Sequence, residues 1–137
     1  MPEVARFIEI PRSPSVVWRR LSTPEGLREW ISDEIEIDLR VGGAYRMPGG
    51  DTSISGVVLE FVPEGRLVLS WLEEGWEHPG RLVVTLEPIA AGTRVTLTHD
   101  GFAGIGKADW QGTLEAYERG ADKHQVLQRL AAAVGGA

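Results

Sequence analysis

The sequence contains no cysteine. This absence excludes disulfide bonds, thiolate metal sites and cysteine nucleophiles together. Positive charge is in the minority, since 14 lysines and arginines stand against 20 aspartates and glutamates, and the net charge is −6. Lysine itself is rare, with only Lys107 and Lys123 in 137 residues. Nucleic acids are bound mainly through clustered basic side chains, so we do not expect a nucleic acid as partner.

Long apolar runs are also missing. The longest are too short to cross a bilayer, and charges at Glu3, Arg6 and Glu9 interrupt the first residues, so they do not resemble a signal peptide. We therefore expect a cytoplasmic protein without a membrane partner. With 42% hydrophobic and 25% charged residues, the chain is predicted to form a single domain over residues 1–137.

The first third of the chain alternates between strand and helix signals. A strand is predicted over residues 4–10. A short helix follows with Ser13 as N-cap and Pro14 in its first turn, reaching Leu21, and Thr23 opens a second short helix that carries Trp30.

From residue 35 the apolar period changes to two, which is typical of half-buried strands. Turn-rich links such as residues 48–51 and 63–65 separate the segments. Links this short cannot join parallel strands, so the sheet is predicted to be antiparallel. The predicted strands after the helices cover residues 35–39, 44–47, 53–62, 66–72, 81–87 and 93–99.

A helical period returns after Gly106, but its apolar stripe changes side. Trp110, Leu114 and Tyr117 share one face, whereas Leu127 and Leu130 would lie nearly opposite on an unbroken helix. Glycine is a poor residue inside a helix, so we predict a break near residue 120. The second piece is expected to lie against the sheet.

This order of elements resembles the helix-grip, START-like (SRPBCC) superfamily, which shares the birch pollen allergen fold. Within it, the sequence is most similar to small bacterial proteins related to the activator of the heat-shock chaperone ATPase. The matching residues are Val17, Trp18, Leu21, Leu27, Trp30 and the segments 23–25 (TPE), 41–43 (VGG), 56–60 (GVVLE), 67–71 (LVLSW), 84–88 (VTLEP) and 93–102 (TRVTLTHDGF).

The resemblance implies an α+β fold, in which a curved antiparallel sheet of about six or seven strands wraps around a C-terminal helix, with two short helices after the first strand. Two positions depart from the family pattern. Ile31 follows Trp30 where the family usually has a second tryptophan, and residues 122–123 (Asp-Lys) stand where it begins the last helix with Gly-Trp. The second departure leaves three outcomes open: the cavity is wider, Trp110 fills the same space, or the last helix is merely tilted.

Residues 101–107 fit the pattern G-x-x-x-x-G-K, which cradles phosphates in nucleotide-binding proteins. The hydroxyl residue that would hold magnesium is replaced by Ala108, and the predicted sheet is antiparallel. Nucleotide binding is therefore disfavoured, and no cofactor is expected.

His99 shares the strand parity of Val95 and Leu97 and is expected to point inward. It could act as a general base in a small hydrolase or cyclase, or serve as a structural histidine. The structural interpretation is favoured, because no nucleophile with a partner carboxylate is evident nearby. His78 and His124 are expected to be solvated, and the three histidines are too widely spaced to suggest a metal site.

The acidic segment 73–77 (EEGWE) could form a carboxylate pair beside an aromatic platform. A solvated hairpin loop is the simpler interpretation, with Trp76 near a cavity mouth.

Aromatic and apolar side chains on the inward parity of the strands and on the first helical stripe are candidates for a cavity wall. The candidate ligand-binding residues are Trp30, Tyr45, Leu69, Trp71, Val84, Leu86, Val95, Leu97, His99, Phe102, Trp110, Leu114 and Tyr117.

The resemblance implies binding of a small apolar or aromatic molecule between the sheet and the C-terminal helix. Fold alone does not exclude the alternatives, which are a module that activates a chaperone ATPase or an enzyme that uses His99. Because no catalytic pair is evident, binding is favoured over catalysis.

Overall fold

The computed structural model describes residues 3–48 and 52–135. Its strands are β1 (Glu3–Ile10), β2 (Glu36–Ile37), β3 (Ala44–Met47), β4 (Ile54–Val62), β5 (Arg66–Glu73), β6 (Gly80–Ile89) and β7 (Gly92–Asp100). They form one antiparallel sheet in the order β1-β7-β6-β5-β4-β3-β2, with a register shift in β4 between Val58 and Glu60. The predicted α+β fold with six or seven antiparallel strands is confirmed. Of the predicted turn at residues 48–51, residues 49–51 lie outside the described residues.

The helices are α1 (Pro14–Trp18), α2 (Pro24–Arg28), α3 (Trp110–His124) and α4 (Val126–Gly135). None of the helices in the described part of the chain is long and apolar enough to span a membrane. Thr23 caps α2 as predicted, because its Oγ1 accepts a hydrogen bond from the Gly26 amide at 2.9 Å.

The start and the end of α1 differ from the prediction. Ser13 precedes α1, but its hydroxyl contacts the Ser15 hydroxyl and accepts no backbone hydrogen bond. The helix ends at Trp18, not at Leu21, because the Arg20 and Leu21 amides donate to carbonyls only three residues back. Such tighter turns replace the regular helix over the last residues of the predicted segment.

The predicted strand over residues 35–39 is shorter than expected, since only Glu36–Ile37 pairs with β3. The alternation itself is present, with Ile35 buried and the residues beside it exposed. A tight turn follows, in which the Asp38 amide donates to the Ala44 carbonyl and the Gly43 amide donates to the Arg40 carbonyl. This turn limits β2 to a short edge strand.

The C-terminal helix is broken as predicted, but not at residue 120. α3 continues through Gly120, and the break is at Gln125, whose backbone adopts the left-handed conformation with φ of 50° and ψ of 48°. The reason is the position of the apolar contacts. Ala121 of α3 still packs against a small apolar cluster beneath that helix, whereas Leu127 is the first α4 residue buried in the main core. The chain therefore changes direction between these two residues.

Two apolar clusters support these elements. The main core lies between the sheet and α1, α2 and α4, and it includes Leu127, Leu130 and Val134, so α4 packs against the sheet as expected. A smaller cluster lies under α3, and α3 itself has no fully buried residue. This smaller cluster consists of Val4, Trp76, Phe102 and Ile105, with Trp71, Leu72, Trp110, Leu114, Tyr117 and Ala121 packed against it.

Candidate functional site

A cavity of about 520 Å³ lies between the sheet and the C-terminal helices. Strands β3 to β7 form one wall, α3 and the start of α4 form the other, and the loop after α2 contributes Ile31 and Ser32. The lining residues are Ile31, Ser32, Met47, Pro48, Thr52, Ile54, Trp71, Glu73, Leu82, Leu97, His99, Ala116, Tyr117, Gly120, Ala121, His124, Val126 and Arg129.

The sheet side of the cavity is mainly apolar. Met47, Ile54, Leu82 and Leu97 come from four different strands and are buried. Alternate residues of a strand point to the same face, so the antiparallel register brings these side chains together on the concave side of the sheet. These four side chains offer an apolar ligand a surface without hydrogen-bonding groups.

The helix side is formed by small residues. Ala116, Gly120 and Ala121 of α3 line the cavity, and they leave space that larger side chains would fill. A Cβ atom added at Gly120 would meet only the His124 ring, at 3.7 Å from its Cδ2 atom. The size of the cavity therefore depends on these three positions.

A hydrogen-bonded chain joins β5 to α3 across the cavity wall. The Trp71 indole Nε1 donates to the Tyr117 hydroxyl at 2.8 Å, and that hydroxyl donates to Glu73 Oε1 at 2.7 Å. Burial raises the pKa of Tyr117, so its hydroxyl stays protonated and remains a donor. The chain fixes two aromatic rings in the wall before any ligand binds.

His99 lies in an aromatic environment within this wall. Its ring centroid is 4.6 Å from that of Trp71, 5.2 Å from that of Tyr117 and 6.4 Å from that of Phe102. Protein atoms surround the imidazole closely, although part of its surface faces the cavity. Desolvation lowers its pKa to about 4, against a smaller opposing effect of Asp100. The ring is therefore neutral at pH 7.

Within residues 3–48 and 52–135, neither ring nitrogen of His99 has a hydrogen-bond partner, and the neutral imidazole can both accept and donate one bond. Ser32 and Thr52 also line the cavity, but neither of them is hydrogen-bonded to His99. The enzyme hypothesis based on His99 stays a prediction.

The structure brings four of the thirteen candidate residues into the cavity wall, namely Trp71, Leu97, His99 and Tyr117. The other nine lie elsewhere, because strand parity identifies the inward face but not which part of that face a helix covers. Phe102, Trp110 and Leu114 belong to the cluster under α3. The residues packed in the main core are Trp30, Tyr45, Leu69, Val84, Leu86 and Val95.

The polar groups of two of these core residues have partners inside the protein. The Trp30 Nε1 donates to the Arg20 carbonyl at 2.9 Å, and the Tyr45 hydroxyl donates to the Ser70 carbonyl at 2.6 Å. Neither group is available to a ligand, which is why a structural role accounts for these aromatic residues.

The departure at residues 122–123 does not enlarge the cavity directly. Asp122 forms an ion pair with Arg6, with Oδ1 at 3.1 Å from Nε, and it lines a separate cavity of about 150 Å³ at the β1 edge. Lys123 is exposed and lines neither cavity. Trp110 does not fill the large cavity either, since it packs beside the cluster under α3.

Several lining residues were not identified from the sequence. The sequence predicts Glu73 and His124 to be solvated groups and gives no signal at Arg129. The spacing of Ala116, Gly120 and Ala121 on one helix face was a usable signal, because a row of small residues marks a surface without filling side chains. His124 is exposed as expected, but it also borders the cavity.

The remaining motifs have structural roles. The segment 101–107 packs against the acidic loop, where the Glu77 amide donates to the Ile105 carbonyl. A Cβ at Gly106 would lie 2.6 Å from Glu77 Cβ and 2.9 Å from its Oε2, so the Glu77 side chain packs directly against this glycine. Trp76 is buried in the cluster under α3 and does not border the cavity mouth. Among the described residues, no group of three histidine or acidic side chains is placed to hold a metal ion.

Comparison with known proteins identifies relatives of this architecture. The family model described as "Activator of Hsp90 ATPase homolog 1-like protein" matches residues 11–135. No curated protein matches the chain. The structure of protein MLL2253 from Mesorhizobium loti superposes with a TM-score of 0.78 at 21% identity, covering 94% of this chain and 93% of that one.

Two solution structures are similarly close. The Aha1 dimer from Colwellia psychrerythraea gives a TM-score of 0.76 at 19% identity, covering 98% of this chain and 96% of that one. Protein BH1534 from Bacillus halodurans gives 0.74 at 22% identity, covering 98% and 97%. At these identities the similarity shows the shared fold alone.

Proposed function

This chain belongs to the family of Activator of Hsp90 ATPase homolog 1-like proteins, and we propose that it uses the family fold to bind a small apolar or aromatic molecule. The cavity between the sheet and the C-terminal helices carries this proposal. Its volume of about 520 Å³ lies within the roughly 300–1,000 Å³ typical of small-molecule sites.

The composition of the wall supports an apolar ligand. Met47, Ile54, Leu82, Leu97 and Val126 supply aliphatic surface that a ligand would remove from water. Each square ångström of apolar surface buried contributes roughly 25 cal/mol to binding before the costs of association. An apolar body of moderate size can therefore be held without any strong polar contact.

The aromatic side chains provide orientation. Trp71 and Tyr117 are held by their shared hydrogen bond, and their rings stand nearly perpendicular at 80°. His99 adds a neutral imidazole whose nitrogens have no partner among the described residues. A ligand with a flat apolar body and one polar substituent would match these groups.

Binding can be tested with N-phenyl-1-naphthylamine, a neutral apolar dye that fluoresces when it leaves water. We expect saturable binding by the wild-type protein and quenching of its tryptophan emission by the dye. Gly120→Leu places a larger side chain in the cavity and should weaken binding about tenfold, since overlap of this size costs roughly 1–3 kcal/mol.

Gly112→Leu is the matched control. Gly112 is on the same helix, is exposed and does not line the cavity. Both substitutions remove a helical glycine and should stabilise α3 by roughly 0.5–1 kcal/mol, so a general effect on folding would appear in both. The proposal fails if the wild-type protein does not bind the dye, or if the two variants bind it equally well.

A second candidate function is activation of a chaperone ATPase. The family description and the Colwellia psychrerythraea Aha1 structure favour it. The two functions use different parts of the molecule, because a protein partner would contact the outer surface and a small molecule the cavity. They can therefore be separated by a variant that changes the cavity alone.

A further inference from the structure

Among the described arginines, Arg129 is the one whose side chain lines the large cavity. Arg129 lines the cavity at the start of α4 and is also exposed, so it lies at the mouth. It forms no ion pair or side-chain hydrogen bond with any residue in the ranges 3–48 and 52–135. Its guanidinium is therefore free to bind a group that enters the mouth.

Most of the other arginines form ion pairs that lie away from this cavity. The chain has a net charge of −6, and many of its arginines are paired with nearby carboxylates. The described arginines in ion pairs are Arg6, Arg20, Arg28, Arg40, Arg46, Arg66, Arg81 and Arg94. None of these eight lines the large cavity. An unpaired guanidinium thus stands at the mouth of the large apolar cavity.

We propose that the ligand carries an anionic oxyacid group, a carboxylate or its equivalent, which binds Arg129 while its apolar body occupies the cavity. This inference rests on the proposed binding function. A planar guanidinium presents paired donors that fit the two oxygens of such a group. The arrangement gives the ligand a direction, with the anion at the mouth and the apolar part against the sheet.

Glu73 also lines the cavity and bears the opposite charge. One of its oxygens accepts the Tyr117 hydrogen bond on the β5 side, and Glu73 forms no ion pair with Arg129. The carboxylate would repel an anion placed near β5, so it favours the orientation in which the anion is on the α4 side. The positive charge of Arg129 and the negative charge of Glu73 therefore both favour the α4 side of the cavity for the acid group.

The test compares two dyes that differ by one group. N-phenyl-1-naphthylamine is neutral, and 1-anilinonaphthalene-8-sulfonate is the same ring system with a sulfonate. We expect the wild-type protein to bind the sulfonate more tightly. Arg129→Gln should lower the affinity for the sulfonate dye by about five- to tenfold, the loss typical of one charge-assisted contact at a partly exposed site. Binding of the neutral dye should not change.

Arg119→Gln is the control for loss of one positive charge. Arg119 is exposed on α3, has no ion pair among the described residues and does not line the cavity. It should leave both affinities unchanged. Added salt should weaken binding of the sulfonate dye more than binding of the neutral dye, because salt screens an exposed charge pair.

The outcomes separate the two proposals. If both dyes bind equally well, or if Arg129→Gln and Arg119→Gln have the same effect, the acid-group inference is overturned and the apolar-ligand function stands. If neither dye binds the wild-type protein, the apolar-ligand function fails and the inference fails with it.

Discussion

At the scale of single residues, His99 shows most clearly how the surroundings of a side chain change its chemistry. The strand parity correctly predicted that it faces inward, and ring contacts with Trp71, Tyr117 and Phe102 explain why its pKa falls to about 4. Arg129 shows the opposite case, because nothing in the sequence around it indicated a role. Its position became informative only when the cavity beside it was known.

The depressed pKa of His99 predicts acid sensitivity. The His99 imidazole takes up a proton near pH 6.5 in the unfolded protein and near pH 4 in the folded protein. Between these pH values the protein therefore takes up a proton when it unfolds. The stability from burying the neutral ring is complete above about pH 6.5 and is lost as the pH falls toward about 4. From about pH 7.5 to about pH 4.5 this loss should approach roughly 2 kcal/mol.

Urea unfolding of the wild-type protein and His99→Phe at both pH values measures this loss. Phenylalanine keeps an aromatic ring among Trp71, Tyr117 and Phe102 but cannot be protonated. Carboxylates titrate in both proteins, so the comparison is between their changes in unfolding free energy. An equal change in both would contradict the assignment to His99.

At the scale of elements, the break between α3 and α4 follows from two apolar stripes that face different clusters. The sequence predicted the break but placed it at the residue with the weakest helix propensity, near Gly120. The structure places it at Gln125, where the chain must leave one cluster and enter the other. Tertiary packing thus outweighed local propensity, as it commonly does for helices.

The left-handed backbone of Gln125 gives a second prediction. A side chain at φ of 50° is strained, and glycine avoids the Cβ contact that causes this strain. Gln125→Gly is expected to raise the free energy of unfolding by roughly 0.5–1 kcal/mol, measured by urea titration. Gln128→Gly, at an exposed site inside α4, should lower it by about 1 kcal/mol. Destabilisation by both substitutions would show that the turn is not strained.

At the scale of the whole molecule, the cavity arises because α3 covers the concave face of the sheet without filling it. α4 buries three apolar residues in the main core, whereas α3 buries none completely and presents Ala116, Gly120 and Ala121 to the strands. The difference between the two helices leaves space beside α3. A small molecule would bind in this space, whereas a chaperone would contact the outer surface. The two candidate functions therefore depend on different parts of the molecule.

An ATPase assay with purified Hsp90 uses this independence. If the protein activates the chaperone through its outer surface, wild type and Gly120→Leu should stimulate ATP hydrolysis equally, because the substitution changes only the cavity. A protein of unrelated fold at the same concentration is the control. No stimulation by the wild type would remove this candidate function. Loss of stimulation in Gly120→Leu alone would show that activation of the chaperone depends on the cavity.

The order of strands and helices and the antiparallel sheet could be predicted from the sequence, because the period of apolar residues and the length of the links depend on neighbouring residues only. The family was inferred from the resemblance of segments such as 93–102 to its pattern. The cavity wall could be predicted in part. Trp71, Leu97, His99 and Tyr117 line it, but Tyr45 and Val95, of the same inward type, are packed in the core.

The rest was decided by tertiary structure alone. Which inward residues face open space depends on where α3 crosses the sheet, and that position is set by contacts between residues far apart in the chain. The same holds for Gly120, which the sequence marked as a helix break and the structure shows as part of the cavity wall, and for Arg129, whose free charge matters only because the mouth of the cavity lies beside it.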